Sequence, residues 1–138
     1  MYTKIMVPVD LGHVDRLEKA LKTAADMAKL YDVPVCYVGV SSSVPSNIAH
    51  GSAEFTSMVT AFGQEQAQKY DLSNVTATAY ICPDPSVDLD DVLIKAAVEN
   101  NADLIVMASH VPGLADHIFA SNAGYVASYS KISVLVVR

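Results

Sequence analysis

The sequence predicts a doubly wound α/β domain, and three observations point there. Short apolar strand runs alternate with helix-period runs from one end of the chain to the other. Turn residues punctuate nearly every junction. The chain has 138 residues and is 51% hydrophobic, enough for one domain with a proper core and too short for two ordinary ones. Strands that alternate with helices build right-handed βαβ units, and these give a parallel sheet covered on both faces.

Each element has its own warrant. Lys4-Ile5-Met6-Val7-Pro8-Val9-Asp10 reads as a buried strand ending in a carboxylate. Leu17, Ala20, Leu21, Ala24, Met27 and Ala28 then follow helical spacing. Asp32-Val33-Pro34 stops that helix and opens a second strand, Val35 to Val40. Ser41 to Ser52 is Ser-rich and without period, a loop. Phe55, Met58, Val59 and Phe62 mark a second helix running to about Tyr70. Val75 to Cys82 is a third strand that alternates, with Thr76, Thr78, Tyr80 and Cys82 on a face that suits solvent. Pro83-Asp84-Pro85 breaks the chain before a third helix carrying Leu89, Val92, Leu93, Ala96 and Ala97. Asp103 to Ala108 is the fourth strand, and Ser109 to Phe119 the loop after it. Ser121 suits an N-cap for a last helix through about Ser130, and Ser133 to Arg138 is the fifth strand. With no internal repeat and no linker, the chain reads as one domain over 1–138. Five such strands suit a flavodoxin-like or Rossmann-like order.

Composition narrows function. The formal net charge is −6 and no basic stripe is visible, so neither nucleic acid nor a membrane surface is expected as partner. Two Cys are no disulfide framework, and both are expected as free thiols. No signal peptide precedes the first strand, and the longest apolar runs are far short of a membrane span, so the expected setting is cytoplasmic.

In a doubly wound sheet, ligands sit outside the carboxyl ends of the strands where the order reverses. Asp10 stands there after the first strand. A carboxylate at that place accepts hydrogen bonds from a ribose hydroxyl or a base amine; it equally caps the turn that follows. Ser109, His110 and Gly113 follow the fourth strand, and Ser121-Asn122 open the next helix. Backbone N–H groups at a helix start, with hydroxyls and a His beside them, suit an anion; the same residues also make an ordinary loop with an N-capping Ser. There is no Gly-x-Gly-x-x-Gly and no Lys-Ser/Thr phosphate loop. The four His, at 13, 50, 110 and 117, show no i, i+4 metal pair. Ser109, His110 and Asp10 assemble a hydrolytic triad only on paper, with no nucleophile elbow around them.

Taken together, three stretches resemble the universal stress protein family. Lys-Ile-Met-Val-Pro-Val-Asp at 4–10 is similar to its first strand, Ala-Asp-Leu-Ile-Val-Met-Ala-Ser-His at 102–110 to its fourth, and Ser-Val-Leu-Val-Val-Arg at 133–138 to its last. Ser-His-x-Pro followed by Ser-Asn-Ala resembles the short-loop branch of F and G type proteins. The resemblance implies a three-layer sandwich around a five-stranded parallel sheet of order 3-2-1-4-5, of the Rossmann-like adenine nucleotide α-hydrolase type. It also implies a homodimer and binding of ATP or AMP, with Mg2+ only alongside nucleotide phosphates. By resemblance, Pro8, Val9 and Asp10 meet adenine and ribose, and Val40 offers backbone groups to the base. Met107 and Ala108 line the pocket, while Ser109, His110, Gly113, Ser121 and Asn122 reach the phosphates. The chain departs from the family's glycine pattern: Val111 stands where the first Gly belongs, and Ala120-Ser121 replaces Gly-Ser. A Cβ at either place hinders close approach of backbone N–H groups to phosphate.

The expected function is a cytoplasmic stress-response protein with a regulatory adenine nucleotide. A dimeric interaction module without nucleotide is the alternative, and a slow ATPase or autophosphorylating protein a third. No Lys, Arg or acidic metal cluster is positioned to speed phosphoryl transfer, so no enzyme is expected. The homodimer is expected through Ser133–Arg138, an apolar edge strand without a Lys, Pro or inward charge to block pairing. A protein partner is not named by any motif.

Overall fold

The computed structural model describes residues 1–42, 51–109 and 122–138. The elements are β1 (Ile5–Val9), a 3-10 turn (Val14–Arg16), α1 (Glu18–Tyr31), β2 (Val35–Ser41), α2 (Ser52–Lys69), β3 (Val75–Ile81), α3 (Pro85–Glu99), β4 (Leu104–Ala108), α4 (Asn122–Tyr129) and β5 (Ser133–Val137). The strands form one parallel sheet of order β3-β2-β1-β4-β5, as expected.

Successive side chains of a strand point to opposite faces, and this sorts the core into two layers. Ile5, Val7, Val9, Val35, Tyr37, Leu104 and Val106 pack with Leu21, Ala24 and Ala28 of α1 and Phe62 of α2. Met6, Cys36, Val38, Ile105 and Met107 pack with Leu89, Leu93, Ala96 and Ala97 of α3 and Ala123 and Val126 of α4. The three middle strands are buried on both faces, which is why they read as continuous apolar runs.

Three helices end in one way. Asp32, Asp71 and Asn101 adopt left-handed φ of 54°, 53° and 54°. The next residue's N–H then reaches back five positions: Val33 to Ala28, Leu72 to Ala67 and Ala102 to Ala97. Asp and Asn tolerate this conformation better than other non-glycine residues, and the bond satisfies a helix-end carbonyl. These caps lie before the amino ends of β2, β3 and β4, leaving the opposite ends for the site.

Some details differ from the sequence reading. Pro85 opens α3 rather than breaking the chain, at the first-turn position where proline costs no hydrogen bond. On the Thr and Tyr face of β3 Thr76 is exposed, but the rest is not given to solvent. Thr78 and Tyr80 are half-buried under the end of α3, where Asn100 accepts from the Thr78 hydroxyl at 3.3 Å and donates to the Tyr80 oxygen at 3.1 Å. The Tyr80 hydroxyl in turn donates to Glu99 at 2.8 Å. Burial first, and then Glu99, push the Tyr80 hydroxyl pKa above its usual value. Both cysteines are free and buried. Cys36 faces Thr76 in the register, and Cys82 lies six residues further along, roughly 20 Å at the strand rise.

Candidate functional site

The two seams of β1 are unequal. Along β2 every residue from Ile5 to Val9 has a partner, from Val35 to Gly39. Along β4 only Ile5–Leu104 and Met6–Ile105 are paired. In a parallel sheet, both backbone groups of a residue turn to one neighbour and alternate residues turn to the other. Ile5 N–H reaches Pro34 beside β2, while the Lys4 carbonyl accepts from Leu104 N–H of β4. Odd positions of β1 therefore face β2, and even positions face β4. Pro8 is even and has no N–H, so the donor that would continue the β4 ladder is missing. The register pairs stop before it, at the carboxyl end of the two strands where the strand order reverses.

Asp10 follows directly. Its side chain is 11% exposed and wrapped by its own turn. Gly12 N–H donates to Oδ1 at 3.0 Å, and His13 Nδ1 donates to Oδ2 at 2.9 Å. His13 N–H closes the turn on the Asp10 carbonyl at 3.0 Å. Asp10 thus caps its turn, as one of its two sequence readings has it, and its carboxylate lies at the switch-point end of β1.

The other expected residues divide by location. Pro8, Val9, Val40 and Met107 are buried, with Val9 in the α1–α2 core and Met107 in the α3–α4 core. Ala108, Ser109 and Asn122 are half-buried at the ends of β4 and α4. Ser109 N–H is held by the Val137 carbonyl at 2.7 Å, so the start of the loop after β4 is anchored to β5. At the end of β2, the Ser41 carbonyl accepts from Cys82 N–H at 2.8 Å. The structure brings Asp10, Val40 and Ala108-Ser109 to one end of three adjacent strands. His110, Gly113 and Ser121 lie outside the described residues, as do Val111 and Ala120 and most of the Ser-rich loop. Gly12 and His13 were missed by the sequence reading; an Asp followed two residues later by Gly is the local signal for such a turn.

Two clefts among the described residues lie elsewhere. One of about 300 Å³ sits at the amino ends of β2 and β3, between Asp32, Pro34, Asp71 and Asn74. The other, about 250 Å³, runs between α2 and β3 beside Gly63 and Ala77. Neither is at the carboxyl ends of the strands. Among the described residues no three His, Cys, Asp or Glu side chains gather to hold a metal ion. No helix among them is long and apolar enough to cross a membrane.

The universal stress protein family profile matches residues 1–138. Universal stress protein G of Salmonella typhimurium is 25% identical over 146 residues, covering all of both chains. A universal stress protein of Archaeoglobus fulgidus in complex with dAMP superposes with a TM-score of 0.66 at 23% identity, over 99% of this chain and 98% of that one. Another universal stress protein, in complex with cAMP, superposes with a TM-score of 0.71 at 19% identity, over 99% and 97%. At that identity the two structures speak for the fold, and it is the same fold. Matched from first residue to last by the family's profile, the chain belongs to the universal stress protein family.

Proposed function

We propose that this chain is a regulatory universal stress protein that binds an adenine nucleotide, ATP or AMP, outside the carboxyl ends of β1, β2 and β4. The observation that carries the reading is the Asp10 carboxylate, 11% exposed and standing beyond the point where the β1–β4 register stops at Met6. The cAMP and dAMP complexes of similar proteins support an adenine ligand. In this reading Asp10 accepts from the ribose, Val40 offers backbone groups to the base, and Pro8, Val9, Met107 and Ala108 shape the pocket. Ser109, His110, Gly113, Ser121 and Asn122 meet the phosphates, and Mg2+ enters only with them. Because Val111 and Ala120 replace glycines at the phosphate end, the adenosine half carries most of the affinity. The nucleotide acts as a signal rather than a substrate, in one domain over 1–138. A cytoplasmic setting fits the two free thiols.

A second reading, a dimeric interaction module without nucleotide, draws on the same glycine replacements. Both readings include a homodimer through β5. Val134 and Val136 pack on the α3–α4 core and Leu135 and Val137 on the α1–α2 core, yet β5 is an edge. Antiparallel pairing with a second copy covers that edge about a two-fold axis.

Mass spectrometry of the natively purified protein, followed by calorimetry with ATP, ADP and AMP, separates the two. A co-purifying adenine nucleotide, or AMP binding within about tenfold of ATP, supports the first reading. No nucleotide in the preparation and no binding at millimolar concentration leaves the second. Light scattering at micromolar concentration is expected to give a dimer mass; a monomer mass contradicts the β5 interface.

A further inference from the structure

We propose that His13 is a positioning residue that holds the Asp10 carboxylate in the orientation a ribose diol requires. The inference rests on the nucleotide reading above and adds a residue to it. Two local contacts fix the carboxylate: Gly12 N–H on Oδ1 at 3.0 Å and His13 Nδ1 on Oδ2 at 2.9 Å. The first is a backbone contact that almost any sequence with this turn would make. The second depends on the side chain at position 13, placed by the turn that runs from the Asp10 carbonyl to His13 N–H and on to the Arg16 N–H on the His13 carbonyl.

The chemistry of the acceptor says what this arrangement selects. An ionised carboxylate offers about four lone-pair sites, two on each oxygen. Among the described residues Gly12 and His13 take one on each, leaving one on each. A pair of vicinal hydroxyls supplies two donors at matching separation. A carboxylate pinned at both oxygens presents its remaining sites in a fixed direction, so the ligand does not meet the cost of ordering it. Without His13, one oxygen loses its tether and the group turns about its Cβ–Cγ bond. The preferred ligand is therefore a ribonucleotide with free 2′ and 3′ hydroxyls, and His13 contributes to that preference without touching the sugar.

Two measurements test this. Calorimetry compares ADP with 2′-deoxy-ADP on the wild type, His13→Ala and His13→Asn. The Asn amide sits one bond from Cγ, as Nδ1 does, and can donate to the same oxygen. Expected are ADP binding weaker by about tenfold in His13→Ala, a shrunken preference for ADP over the deoxy form, and recovery of both in His13→Asn. His13→Ala binding both ligands as the wild type does overturns the proposal. So does equal weakening in both variants with the preference intact, which marks a purely structural role. Wild-type protein that binds neither nucleotide defeats the nucleotide reading itself and takes this one with it. Independently of any ligand, two-bond 15N–1H NMR correlation of the imidazole is expected to place hydrogen on Nδ1. An imidazole with hydrogen only on Nε2 overturns the proposal, because Nδ1 then has nothing to donate to Asp10.

Discussion

The two sides of β1 use one strand for opposite purposes. Toward β2, five consecutive register pairs join two buried strands, and α2 closes over them. Toward β4, the pairing ends after two positions, and the carboxylate of Asp10 follows beyond the gap. A single proline facing one neighbour and not the other accounts for much of the difference. Where the ladder is complete, backbone polar groups are consumed by the fold; where it stops, they are left at a place that a ligand can use.

The largest effects are expected on the closed side. Tyr37 of β2 is fully buried and meets Phe62 edge-on at 5.5 Å. Tyr37→Ala is expected to cost about 3–5 kcal/mol in urea unfolding, the range for deleting a buried aromatic ring. Tyr37→Phe is the informative partner. The hydroxyl is buried with no hydrogen-bond partner among the described residues, and burial, then Tyr70, push its pKa up. Its removal is expected to leave stability unchanged or raise it by up to about 1 kcal/mol; a clear loss would show that the oxygen has a partner.

Next comes Gly39, whose added Cβ would lie 2.5 Å from Val59 Cγ2 and 3.1 Å from Phe55 Cζ. Gly39→Val is expected to destabilise by about 1–3 kcal/mol, because the valine of α2 is branched and has little room to turn.

On the open side the expected cost falls on binding. Pro8→Val supplies the missing N–H toward β4 and lets the ladder continue. Its melting temperature is expected close to that of the wild type, since a gained hydrogen bond offsets the lost rigidity of proline. Adenine nucleotide affinity is expected to fall about tenfold. A variant that loses stability and keeps its affinity would show that the open seam is not part of the site.

The smallest effect concerns the paired end of the same seam. The Asp103 carboxylate accepts from Thr3 N–H at 2.9 Å, from the Thr3 hydroxyl at 2.9 Å and from Lys4 N–H at 3.0 Å. Burial raises its pKa, but these hydrogen bonds together outweigh it and hold the group below the ordinary carboxylate value. A pKa lower in the folded than in the unfolded state means stability that is fully present above about pH 4 and lost as pH falls through the folded value. Asp103→Asn is expected to flatten that part of the acid limb in a stability–pH series; an unchanged limb would place the acid sensitivity elsewhere.

How much of this can be read without coordinates depends on whether the cause is local. The strands and helices follow from periodicity, and the position of Asp10 follows from the strand that ends in it. Pro8 reads as one member of an apolar run and, by resemblance, as a pocket residue, but not as the end of a ladder, because which neighbour its missing N–H faces depends on the register with both β2 and β4. The contact between His13 and Asp10 depends on the backbone path through Leu11 and Gly12, which no hydrophobic pattern encodes. The polar face of β3 misleads for the same reason: Thr78 and Tyr80 are covered by Asn100, which arrives from the far end of α3.

The ligand site we propose is the unpaired carboxyl end of the β1–β4 seam. A 15N–1H NMR titration of the labelled protein with AMP tests it most directly. Shift changes are expected to concentrate at Val9 to His13, Val40 to Ser42 and Met107 to Ser109, and to leave the cleft around Asp32, Asp71 and Asn74 unmoved. Changes confined to that cleft, or no change at millimolar AMP, would contradict it.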